Sequence, residues 1–254
     1  MVTTSPILGF NNVNRSLFQP RLSQQGPKGS LPLTDEILFG PSGNFFGMSQ
    51  SAAMGWDPER LNDPHFLILT TLGGIRAEDG TPIALGYHIG HWEVGLLGRE
   101  AANRLREIEC VPFAGHLTDV CDGRTMSTPA MRHSLASREF AQWALRNLAK
   151  SHPTKRGVMG IATCDKGAPA MLQVLASLRG ELPGIFVPGG ATLAGEGSED
   201  TGMAQTLPLR AAVGQVSLEH AASDGCSVCA SPGGGCQFLG TAGTSQVVAE
   251  GAGF

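Results

Sequence analysis

The run Gly157-Val158-Met159-Gly160-Ile161-Ala162 constrains the fold of this chain more than any other stretch. It is apolar or small throughout, with no polar alternation, so as a strand it must be covered on both faces. A segment rich in Ala and Leu, from about Pro169 to Arg179, follows with the composition of a helix. A doubly buried strand that leads straight into a helix is half of a crossover unit, the connection that parallel strands require.

The same grammar recurs along the chain. His65 to Leu72, closed by Gly73-Gly74, reads as a strand, as do Val111 to Leu117 and Gly184 to Val187, the last closed by Gly189-Gly190. A further short strand is expected at Pro82 to Gly86. Between them, Gly90 to Glu109 reads as a helix because Val94, Leu97, Ala101, Leu105 and Ile108 recur at three- and four-residue steps. Ser137 to Lys150 reads as another, with Ser137 placed to cap it and Glu139 near its positive end. This order with short links predicts an α/β fold, a parallel sheet flanked by helices on both faces.

Residues 1 to about 30 are polar and turn-rich and read as an extended or partly disordered arm; residues 31–254 read as one α/β domain. Within it, 195–209 reads as a polar, acidic insertion and Ser217 to Ala222 as the start of a short helix. Gly225 to Cys236 reads as an irregular glycine-rich loop, and Leu239 to Gly253 as a helix packed closely against a neighbour.

Eighteen basic against 22 acidic residues give a formal charge of −4 with no block of one sign, which excludes the basic footprint of a nucleic-acid binder. No stretch is long and apolar enough for a membrane span, and no charged-then-apolar leader opens the chain. The six cysteines, at 110, 121, 164, 226, 229 and 236, are therefore expected as thiols or metal ligands in a reducing cytosol rather than as disulfides.

Thr163-Cys164-Asp165-Lys166-Gly167 emerges at the carboxyl end of the organising strand, where open α/β sheets place their ligands. Asp119, Cys121 and Asp122 emerge likewise after Val111 to Leu117. Thiolates suit soft centres such as iron–sulfur clusters or zinc, whereas carboxylates suit magnesium or manganese. The alternation Cys121-Asp122 and Cys164-Asp165 therefore points to two adjacent sites of different character. Glycines 233 to 235 ahead of Cys236 would let backbone approach a bulky inorganic centre. Cys226 and Cys229, with Cys236, could alternatively supply a structural zinc site. Lys166 beside Asp165 reads by itself as a solvated pair of little energetic weight. His88 and His91 read as packed or hydrogen-bonded histidines, because two imidazoles without a third partner do not define a metal site.

In order and spacing, Cys164-Asp165-Lys166-Gly167 with Pro169, Ile185 to Gly190, and the run from Gly233 through Cys236 to Glu250 resemble the dihydroxyacid and phosphogluconate dehydratase family. With Cys121 to Thr125, they are similar to its sugar-acid branch, the D-xylonate dehydratases. The resemblance implies a two-iron iron–sulfur cluster with a magnesium ion beside it. By motif match Cys164 and Cys236 would be cluster ligands, and Asp122, Asp165 and Lys166, the last as its carbamate, would hold magnesium. The upstream Pro-Cys-Asn motif of better-known members has no cysteine counterpart at Ala84 to His88. Cys121 is taken as the third cluster ligand, with Cys110 or Cys229 as alternatives.

The implied reaction removes water from a sugar acid such as D-xylonate to leave a 2-keto-3-deoxy acid. Self-association into a dimer or tetramer is also implied. Members are longer, with a carboxyl-terminal barrel-like domain that carries a magnesium-binding glutamate and the serine base. The chain is accordingly expected to be the amino-terminal portion, inactive or nearly so by itself.

Overall fold

The computed structural model describes residues 28–88, 90–193, 200–229, 234–236, 238, 240 and 243–254. The arm expected over the first thirty residues lies almost wholly outside the described residues. The chain divides into two units, at Asn62/Asp63.

In the first unit, α1 (Asp35–Leu38) is capped by Thr34, whose hydroxyl accepts from the Ile37 amide at 3.3 Å. It is followed by α2 (Ser42–Ala53) and a 3-10 turn at Pro58–Arg60, capped by Asp57. Met48, Ala52 and Leu61 form a small core, against which Leu31, Ile37 and Trp56 pack.

The second unit is built on four parallel strands, β1 (His65–Thr70), β4 (Val111–His116), β5 (Lys155–Ala162) and β6 (Gly184–Pro188), in the order β4-β1-β5-β6. Side chains alternate between the faces. Ile68 and Ile161 join Val94 and Leu105 of α3 (Gly90–Glu107) on one side. Leu67, Leu69 and Val158 join Leu145 of α5 (Ser134–Ser151) and Met171, Val174 and Leu175 of α6 (Gly167–Leu178) on the other. Each of these large side chains stabilises by about 1.5–3 kcal/mol on full burial. Gly160 faces α6, and a Cβ there would lie 2.4 Å from Met171 Cγ, so its lack of a side chain is what lets the helix sit close to the sheet.

Several expected details differ. The short strand β3 (Pro82–Ala84) does not join the main sheet; it pairs antiparallel with β2 (Ile75–Arg76) in an exposed ribbon. Helix α3 ends before Ile108, which is 68% exposed, because Glu109 takes a left-handed backbone (φ 59) that stops the helix. Leu97 is also partly exposed, so the buried stripe is narrower than the periodicity suggests.

Helix α5 starts three residues before Ser137. A 3-10 turn, Pro129–His133, capped by Thr128, feeds directly into it, and Ser137 Oγ instead donates back to the Ser134 carbonyl at 2.6 Å. After α4 (Asp122–Thr125), a single turn that begins at one of the candidate ligands, the other unexpected helices lie late in the chain. The region read as an insertion contains α7 (Thr201–Ala204) and the start of α8 (Leu207–Ala212). Ser217 caps α9 (Leu218–Ser227), so Gly225 and Cys226 belong to a helix rather than to the loop. The last helix, α10 (Thr244–Gly251), docks on α6, where Arg179 donates to the Ala252 carbonyl at 2.9 Å and lies over the Phe254 ring.

Candidate metal and cofactor centre at the carboxyl ends of the strands

All four parallel strands point their carboxyl ends to one edge of the sheet, and the chemistry-bearing residues lie there. After β5 the chain turns at Cys164, which is 4% exposed and held at φ 71. A non-glycine residue in that region carries a cost of order 1–3 kcal/mol, so the surrounding packing must impose it. The Cys164 thiol donates to Asp165 Oδ1 at 3.1 Å. Lys166, 5% exposed, directs its ammonium to Asp122 Oδ2 at 2.6 Å and to Asp165 Oδ2. The remaining oxygen of Asp122 accepts from Ser134 Oγ at the start of α5. A side chain read as a solvated pair is thus an enclosed cation between two carboxylates, and its second partner comes from a different strand end.

The electrostatics follow from that enclosure. Burial alone would lower the Lys166 pKa, but its hydrogen bonds to Asp122 and Asp165 raise it. Burial, then the adjoining Asp165, raises Asp122. Burial would raise Asp165 too, but hydrogen bonds with Asp122, Lys166 and Cys164 hold it low. Two carboxylates against one ammonium leave a net negative cluster of oxygens, the donor set that a hard cation prefers.

Burial pushes the Cys164 thiol far above its usual range, and the charges of Asp119 and Asp165 add to the effect. Burial also raises Cys236; a hydrogen bond with the Phe238 backbone opposes this, and Cys121, Asp165 and Cys229 add smaller upward contributions.

The Cys236 loop is pinned to the same edge. Ala191 and Cys236 form a parallel bridge, Thr192 N donates to the Cys236 carbonyl at 3.0 Å, and Gly235 N donates to the Gly190 carbonyl at 2.8 Å. A Cβ on Gly235 would fall 1.5 Å from Thr163 Oγ1, so only glycine lets this backbone press against the residue preceding Cys164. The buried hydroxyls of Thr71, Thr163 and Thr192 have no hydrogen-bond partner among the described residues, although buried polar groups are ordinarily satisfied.

Thiols, net-negative oxygens, a glycine cradle and orphaned hydroxyls together fit a soft inorganic centre beside a hard cation. Single-ion geometry is not what the thiols form: among the described residues, no group of three cysteines brings its sulfurs within 4.8 Å of one another.

Cys110 is excluded from this edge. It lies just ahead of β4, at the opposite end of the sheet, in the core beneath α3. Cys226 and Cys229 are exposed, the former in the last turn of α9, and together with Cys236 they form no compact donor group among the described residues.

The structure also assembles a group that sequence reasoning dismissed. His88, His91 and Asp119 bring one ligand atom each within 4.8 Å of the others. The missing third partner for the histidines is Asp119, delivered by the loop after β4. Burial would raise its pKa, but the adjoining imidazoles of His88 and His91, the latter hydrogen-bonded to it, lower it. The His88-x-x-His91 spacing was the only sequence signal for this group.

No helix among the described residues is long and apolar enough to cross a membrane. The sequence family described as Dihydroxy-acid/6-phosphogluconate dehydratase N-terminal matches residues 84–254. The chain is 54% identical to D-xylonate dehydratase YagF of Escherichia coli (strain K12) over 226 residues, 89% of this chain and 34% of that protein. It is 46% identical to D-xylonate dehydratase YjhG of the same strain over 245 residues, 96% of this chain and 37% of that protein. Over 163 residues it is 32% identical to a dihydroxy-acid dehydratase of Methanoregula boonei, covering 63% of this chain and 29% of that protein. The chain thus spans about a third of the length of the curated relatives it matches. The matched region contains β4 to β6 with every thiol, carboxylate and amine of the centre, and the chain belongs to the dihydroxy-acid/6-phosphogluconate dehydratase family.

Proposed function

We propose that this chain is the cofactor-bearing part of a sugar-acid dehydratase that removes water from an aldonate of the D-xylonate type, leaving a 2-keto-3-deoxy acid. The observation that carries this reading is the enclosed Lys166, gripped by Asp122 and Asp165 directly beside Cys164. Its support is that identical chemistry is named for the relatives YagF and YjhG, both D-xylonate dehydratases.

In this reading Cys121, Cys164 and Cys236 hold a two-iron iron–sulfur cluster, while Asp122, Asp165 and carbamylated Lys166 hold a magnesium ion. Bound there, the pair would supply Lewis acidity toward the oxygens of the substrate's carboxylate and of its 2- and 3-hydroxyls. The protein's own part is positional. The left-handed turn at Cys164 aims a sulfur and an oxygen donor from consecutive residues. Ser134 fixes the rotamer of Asp122 from the start of α5.

Carbamylation requires Lys166 in its neutral form, yet in the ion-free arrangement both carboxylates hold it charged. Lys166 would therefore have to give up its hydrogen bonds to Asp122 and Asp165 before its amine could react with carbon dioxide. The proton at C2 must be taken by a base outside the six residues assigned here.

Anaerobic reconstitution of the purified chain with iron and sulfide tests the reading. The expected product has the visible absorption of a cluster, about two irons per chain, and loses both on Cys164→Ser or Cys236→Ser. A chain that takes up zinc and no iron or acid-labile sulfide would refute it.

A further inference from the structure

We infer that His88, His91 and Asp119 form a site for a divalent transition ion of the zinc class, adjoining the turn that carries Cys164. This inference stands on the side chains themselves and does not depend on the dehydratase reading.

The three donors come from two places in the fold. His88 and His91 bracket the start of α3, and Asp119 lies on the loop after β4. Their ligand atoms lie within 4.8 Å of one another. The His91 and Asp119 side chains are 0% exposed and that of His88 is 8% exposed. Two imidazole nitrogens with one carboxylate oxygen suit zinc, iron(II) or cobalt rather than magnesium, which favours oxygen alone.

A hydrogen-bonded cluster with no ion explains only part of the arrangement. Asp119 Oδ2 accepts from the Gly167 amide at 2.8 Å, and Oδ1 pairs with His91 Nε2. His88 Nε2 is then left 3.8 Å from Oδ1, too far for a hydrogen bond, and although buried it has no hydrogen-bond partner among the described residues. An ion between the three atoms would satisfy that orphan.

The outer contacts are consistent with ligation. With its proton on Nδ1, His91 faces Thr118 Oγ1 at 3.5 Å and presents the Nε2 lone pair inward. Gly167 already commits Oδ2, which orients Oδ1 toward the histidines. His88 Nδ1 accepts from the Gly90 amide at 3.1 Å, and ligation through Nε2 exchanges that contact for the metal bond. An ion here would tie the start of α3 and the β4 loop to the first residue of α6, which bears on the placement of Cys164.

Cobalt(II) added to the chelator-treated full chain, with magnesium in excess to occupy oxygen-only sites, provides the test. The expected result is a set of visible d–d bands without thiolate charge transfer from this site. His88→Gln should remove one equivalent of cobalt, and Asp119→Asn should weaken binding at least tenfold, with circular dichroism reporting whether each variant folds. If a variant does not fold, cobalt-edge X-ray absorption on the wild-type chain decides, two imidazoles per ion supporting the site and none overturning it. No cobalt uptake, or uptake unchanged by His88→Gln in a folded chain, also overturns it. Cluster assembly followed in parallel separates the two readings, since a chain that builds its cluster but takes no cobalt at the histidines loses only this inference.

Discussion

Replacing Lys166 by Met tests whether the enclosed amine is a structural cation or a latent metal ligand. In the ion-free chain, Lys166 makes charge-assisted hydrogen bonds to Asp122 and Asp165, each worth about 1.5–3 kcal/mol where both partners are buried. The carboxylates are not fully buried, with side-chain exposures of 33% and 26%, so water recovers part of that loss. The expected destabilisation is then about 2 kcal/mol, smaller than the roughly 3–5 kcal/mol of breaking a deeply buried pair.

For a unit of this size it corresponds to a fall of roughly 4–8 °C in Tm, at about 2–4 °C per kcal/mol. Magnesium discriminates further. In carbon dioxide-free buffer the wild-type ammonium competes with the ion, so magnesium should raise the Tm of Lys166→Met more than that of wild type. In bicarbonate the order should reverse, because only the wild type can convert its amine into an oxygen ligand. Thermal melts by circular dichroism in the two buffers provide the assay. An unchanged Tm in the variant, or equal magnesium stabilisation in every condition, would refute the reasoning.

Three further outcomes are expected. Cys164 has a folded-state pKa far above the unfolded one, so the stability from keeping it protonated is complete below about pH 9 and is lost as pH rises beyond that. Denaturant titrations of the metal-free chain should thus lose more stability between pH 8 and pH 10 in wild type than in Cys164→Ser, and parallel losses would contradict the assigned burial effect. Gly235→Ala should displace the loop that carries Cys236, since its Cβ would overlap Thr163 Oγ1; iron content after reconstitution should fall sharply while the urea midpoint moves little. Gly160→Ala is the converse, overpacking α6 against β5 at a cost of about 1–3 kcal/mol, visible as a lower urea midpoint.

The sheet was legible in the sequence because its two central strands, β1 and β5, are buried along most of their length and so leave nearly unbroken apolar runs, while the more exposed edge strands β4 and β6 are marked by the glycines and ligands at their ends. His65 to Leu72 and Gly157 to Ala162 needed no tertiary knowledge to be read as strands, and their glycine- or ligand-bearing ends marked the functional edge. Helix α3 was legible through Val94 and Leu105, but Leu97 and Ile108 fit the same period without being buried, since apolar spacing does not record where a neighbour ends. The strand at Pro82–Ala84 was legible too, but three apolar residues specify a strand and not its partner, and it pairs in an exposed ribbon rather than in the main sheet.

The deeper omissions are long-range. No local run of residues joins Lys166 to Asp122, 44 residues earlier, which the family resemblance alone put in one ligand set, and nothing near His91 reveals Asp119, 28 residues later. The left-handed turn at Cys164 is likewise invisible locally, because a cysteine does not prefer that conformation and packing must enforce it.

By itself, then, the sequence determined the α/β class, the strand ends that carry chemistry, and the pairing of soft with hard donors at Cys121-Asp122 and Cys164-Asp165. Only the tertiary structure decided which donors meet. The order β4-β1-β5-β6 sets β4 and β5 on either side of β1, about 10 Å apart at the strand spacing of 4.7–4.9 Å. A side chain as long as that of Lys166, with Asp122 carried inward on the loop after β4, can close such a gap, and that reach depends on sheet order and loop packing, neither of which is written in any local run of residues.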